Sequence, residues 1–171
     1  MAAVTVYANT AKDRPARSGT GLQGVPFSYT PAAPFGATIG DVIVLCKLPA
    51  YSTLLGFWIE IPDLDSGATA ARFDIGTKSS AARFVADFNP TGATTVRVTS
   101  FDSTATANTH VLLESLPFQV LDTDAGDVTA EDDLRLTLKT AAITTLITSK
   151  AIKGFALFCC NEVAAMAEVK L

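Results

Sequence analysis

The chain offers few side chains with which to do chemistry. Its one histidine, His110, follows Ala107-Asn108-Thr109 and opens an apolar run, the setting of a strand-edge or loop histidine. One imidazole cannot build a histidine-rich metal site of the cupin kind, and there is no H-E-x-x-H, G-x-S-x-G or G-x-x-x-x-G-K-[ST] motif. The three cysteines, Cys46, Cys159 and Cys160, lie in strand-like apolar segments without the C-x-x-C spacing of a zinc site. They read as small buried hydrophobes. A disulfide from Cys46 to either of the other two is disfavoured, because cytosolic assembly keeps thiols reduced. A glycosidase needs two carboxylates flanking a sugar cleft, but among 17 acidic residues no spacing selects a pair.

Two acidic segments stand out. Asp122-Thr-Asp124-Ala-Gly-Asp127-Val-Thr-Ala-Glu131-Asp132-Asp133 gathers oxygen ligands of the type that hard cations favour. Against the EF-hand template, however, Gly126 falls at position five instead of six, Asp133 replaces the closing glutamate, and no flanking helices can be read. A solvated acidic loop ahead of a strand at Leu134 is the favoured reading, with a cation site left open. Asp63-Leu-Asp65-Ser-Gly67 closes an apolar strand, where Asx bonding by aspartate and positive φ at glycine would make the turn. The inventory predicts a protein that is not an enzyme, with no cofactor and no zinc.

The elements that carry these residues are those of a β-protein. Hydrophobic residues make up 49% of the 171 and charged residues only 18%, which excludes an ordinary disordered tail. Alanine (27) and threonine (22) are the commonest types, so small and β-branched side chains dominate. The longest apolar runs, Val42 to Cys46 and Phe155 to Cys160, fall far short of the roughly 18–20 residues that cross a bilayer. The first residues lack the basic and apolar regions of a secretory signal. A soluble protein made in the cytoplasm is therefore expected. A net charge of -4 gives no electrostatic reason to approach nucleic acid or an anionic membrane.

From Ala37 onward, short apolar or alternating runs are separated by Gly, Pro, Asp and Asn clusters. Strands are predicted over Val42 to Leu48, Leu54 to Ile61, Ala71 to Ile75, Ala82 to Phe88, Thr94 to Thr99, His110 to Leu113 continuing into Phe118 to Leu121, Leu134 to Thr140 and Lys153 to Cys160, with a further candidate over Ala164 to Leu171. Alternation is clearest where Leu134, Leu136 and Leu138 face one way and Arg135, Thr137 and Lys139 the other. Phe57, Ile59 and Ile61 alternate against Trp58 and Glu60. This places Trp58 on the polar side, either covering the core or anchoring an interface. Eight or more short strands without helices or a long repeat favour an all-β fold, an antiparallel β-sandwich of jelly-roll-like type spanning 36–171.

Residues 1–35 read as an extended N-terminal arm. After a short strand candidate at Val4 to Tyr7, the frequent Gly and Pro forbid helix and no hydrophobic period is visible. Lys12, Arg14 and Arg17 against Asp13 make the arm basic, while 36–171 carry ten basic and sixteen acidic residues. Fully extended, Ala8 to Phe35 would reach about 90 Å. The expectation is that the arm contacts a neighbouring subunit or a larger shell, burying Val25, Phe27, Tyr29 and Phe35 and adding Val4, Val6 and Tyr7 to a foreign sheet edge. A strap across its own domain is the alternative.

The run Ile39-Gly-Asp-Val-Ile-Val-Leu-Cys-Lys-Leu-Pro49, followed by Leu54-Leu-Gly-Phe-Trp-Ile-Glu-Ile61, Asp63-Leu-Asp-Ser-Gly67 and Phe73-Asp-Ile-Gly-Thr77, resembles a pattern of tailed-bacteriophage virion proteins. Asp132-Asp-Leu-Arg-Leu-Thr-Leu138 and the final Lys153-Gly-Phe-Ala-Leu-Phe158 strand extend the likeness over roughly 36–162. The resemblance is to the head decoration, or cement, proteins. It implies a non-enzymatic virion protein that binds the major capsid protein on the outer surface of an icosahedral capsid, commonly as a homotrimer, and is assembled in the host cytoplasm. A receptor- or carbohydrate-binding virion module on the same fold is the competing implication.

Overall fold

The computed structural model describes residues 2–9, 21–48, 52–67, 71–78, 80–90, 94–99, 118–119, 132–140 and 142–160. They form ten strands and, among the described residues, no helix: β1 (Thr5–Tyr7), β2 (Gly21–Tyr29), β3 (Val42–Leu48), β4 (Ser52–Ile61), β5 (Arg72–Gly76), β6 (Val85–Phe88), β7 (Thr94–Thr99), β8 (Phe118–Gln119), β9 (Asp132–Thr140) and β10 (Ile152–Cys160). Sheet A has the order β1-β3-β9-β5-β6. Sheet B has the order β2-β10-β4-β7, with β8 paired to β4. From β1 to β5 the chain changes sheet at every connection. The strands expected at His110 to Leu113 and Ala164 to Leu171 lie outside the described residues, as does most of the acidic segment 122–133.

The alternation of apolar residues dictates which face of each sheet turns inward. On β9, Leu134, Leu136 and Leu138 are fully buried, and register sets Leu136 beside Ile43 of β3 and Ile75 of β5. On β10, Ile152, Ala156 and Phe158 point inward while Lys153 and Phe155 point out. The inward faces share one core, closed across the sheets by Phe57 of β4 against Phe84 at the entrance to β6, ring centroids 5.3 Å apart. Two of the register shifts, in β4 and β3, keep the phases aligned. In β4 the extra residue Leu55 lets both Leu54 and Phe57 face the core, opposite Phe158 and Ala156. In β3 the extra residue Leu45 does the same for Ile43 and Cys46. Each is a β-bulge.

The structure corrects the reading of residues 1–35. β2 is a nine-residue strand hydrogen-bonded to β10, and its alternation is real: Phe27 is buried, Val25 and Tyr29 pack against the core, and Leu22, Gly24 and Pro26 face out. Pro26 is tolerated because β2 is the edge of sheet B, where half the N–H groups point away from any ladder. β1 joins sheet A beside β3 in parallel, the exception to an otherwise antiparallel sandwich. Beyond it, the Ala8 and Asn9 N–H groups donate to Val44 and Ser28 carbonyls, linking an edge of sheet A to the edge of sheet B. The described strands of 1–35 thus pair with strands of 36–160, β1 with β3 and β2 with β10.

Candidate interaction surfaces

Three inter-sheet connections are held by buried carboxylates. Asp41, with no exposed surface, immediately precedes β3. Its Oδ1 accepts from the Val4 N–H at 2.8 Å, and its Oδ2 from Gly36 at 2.8 Å and Thr38 at 3.2 Å. The β2–β3 connection and the N-terminal strand are therefore fastened to one side chain. Gly36 and Gly40 within this connection have φ near +90°, a conformation that favours glycine.

Asp65 performs the corresponding task for the other two crossovers. Its Oδ1 accepts from Gly67 at 2.8 Å and Thr145 at 3.1 Å, and its Oδ2 from the Thr144 N–H at 3.2 Å and hydroxyl at 3.3 Å. This ties the β4–β5 connection to the β9–β10 connection. The Asx bonding expected here is present, since Asp63 Oδ1 also accepts from the Asp65 N–H at 3.2 Å. The expected positive φ at Gly67 is not: the glycine is needed because a Cβ would collide with the Thr144 hydroxyl. Desolvation raises the Asp65 carboxyl pKa, but the Gly67, Thr145 and Thr144 donors together outweigh it and hold the group below its ordinary value of 3.8. The stabilisation is then complete above that value and is lost as pH falls through the folded value. Urea midpoints measured from neutral into strongly acidic solution should fall more steeply for the wild type than for Asp65→Asn. Parallel acid limbs would refute the role assigned to Asp65.

Cys46 faces the core of sheet A, and Cys159 lies on the outer side of sheet B; both are free thiols. Burial pushes the Cys46 thiol up to about 12, with the Asp133 charge adding to the rise and a backbone hydrogen bond from Leu134 opposing it. Native protein treated with iodoacetamide at mildly alkaline pH should yield an unmodified Cys46 peptide by mass spectrometry, and an alkylated one after unfolding in urea. Alkylation of Cys46 in the native state would contradict this placement.

The two outward faces differ in character. On sheet A the charges are matched within the chain. Asp133 lies between Arg135 at 2.6 Å and Lys47 at 3.5 Å, Arg72 pairs with Asp87 at 2.5 Å, and Lys139 lies 3.4 Å from Asp74. Asp87 itself has φ 58°, and its N–H donates to Asp74 Oδ1 at 2.8 Å. Among the described residues no cluster of three His, Cys, Asp or Glu could hold a metal ion. Sheet B instead turns apolar side chains to solvent. Register aligns Pro26, Phe155 and Trp58 across three adjacent strands, with Phe155 44% exposed and its ring centroid 6.3 Å from that of Trp58. Leu22, at 64% exposure, lies on the same face.

Of the residues expected to meet a neighbour, Phe27 and Phe35 are already buried in their own core, and Val6, Val25 and Tyr29 pack against it. Phe27 and Phe35 thus spend their apolar surface within the chain, whereas Val6, Val25 and Tyr29 keep part of theirs exposed. Val4 is half-buried and Tyr7 is 43% exposed at the β1 edge. Lys12, Arg14 and Arg17 lie outside the described residues. The Phe155 and Leu22 surface went unnoticed in the sequence because the partner strand β2 was not recognised.

No protein-family profile and no curated protein matches the sequence. Two solved structures share the fold. A chain of the capsid of Ralstonia phage GP4 superposes with a TM-score of 0.58 at 15% identity, covering 92% of this chain and 99% of that one. A chain of the cyanophage Pam1 capsid asymmetric unit superposes with a TM-score of 0.50 at 17% identity, covering 90% of this chain and 97% of that one.

Proposed function

We propose that this protein is a non-enzymatic structural component of a phage virion that decorates and stabilises an icosahedral capsid. In this reading it binds the major capsid protein on the outer surface as a homotrimer, after assembly in the host cytoplasm. The observation that carries the reading is the near end-to-end match to chains of two phage capsids, which covers 92% and 90% of this chain and 99% and 97% of those. The chemistry agrees with it. The acidic residues with the most developed hydrogen bonding, Asp41 and Asp65, fasten crossovers, and the charged face of sheet A satisfies itself. A mobile arm is not required, because a rigid sandwich with an exposed apolar face can dock without ordering a long segment at about 1–2 kcal/mol per residue.

The test is co-sedimentation of the purified chain with capsids assembled without it, followed by heating. Saturable binding at a fixed ratio to the major capsid protein, together with a higher temperature of capsid disruption, is expected. Absence of binding, or binding without any gain in capsid stability, would overturn the reading.

A further inference from the structure

We draw no further inference here: the strongest candidate, the surface patch around Phe155 and Trp58 on the outer face of sheet B, carries nothing because nothing in the structure shows what covers it.

Discussion

Asp41→Ala is expected to remove about 3–5 kcal/mol of stability, a large share of the 5–15 kcal/mol typical of a domain. The carboxylate lies wholly inside the protein and accepts three backbone N–H groups, from Val4, Gly36 and Thr38. Alanine would leave those donors without an acceptor in a space water does not reach, and each unsatisfied buried group costs about 1–3 kcal/mol. The backbone around Asp41 would feel the loss, because its own N–H and carbonyl bond Thr38 and Leu138. Asp41→Asn should cost less, since it keeps one of the two accepting oxygens. Urea denaturation should show the midpoint falling in the order wild type, Asn, Ala. Hydrogen exchange should show the β1 amides losing protection before those of β9. An Ala variant within about 0.5 kcal/mol of wild type, the usual range for uneventful surface changes, would contradict the account.

Gly154→Ala should be comparably damaging, for a steric reason. Gly154 sits in β10 between β2 and β4, in register with Phe27 and Ile59. A Cβ there would collide with the Trp58 carbonyl oxygen and come within 2.7 Å of the Phe27 ring. The carbonyl cannot step aside without disturbing the ladder, so a cost of about 3 kcal/mol or more is expected, at the upper end for overpacking. Gly24→Ala is the control. Its position in β2 is open, and the substitution should be neutral or slightly stabilising by restricting the unfolded chain. Thermal melts of the two variants side by side give the comparison. Equal effects would show that the close approach of β10 to its neighbours is wrong.

Where a strand carries uninterrupted alternation, its residues alone were sufficient to place it. β9 was legible from Leu134, Leu136 and Leu138, and β3 from its continuous apolar run, which is what a strand covered on both faces looks like. β2 was not legible, because Gly24 and Pro26 occupy its outward positions and read as breakers, while Gln23, Val25, Phe27 and Tyr29 keep the period on the inward side. An edge strand accepts residues that a central strand cannot. Scoring alternate positions separately would have found it. The outward apolar row was hidden for a related reason: Pro26, Phe155 and Trp58 are far apart in sequence and become neighbours only through the register of three strands. Asp65 was visible as a turn residue, and Asp41 only as part of the run that leads into β3. Their reach to Val4 and to Thr144 and Thr145 depends on crossovers that no local pattern encodes.

Electron cryomicroscopy of capsids assembled without this chain and then incubated with it decides whether the protein decorates the capsid. Added density is expected on the outer surface at symmetry-related positions, into which the two-sheet sandwich fits without rearrangement. Particles indistinguishable from those without the protein, or density confined to the tail, would contradict that expectation.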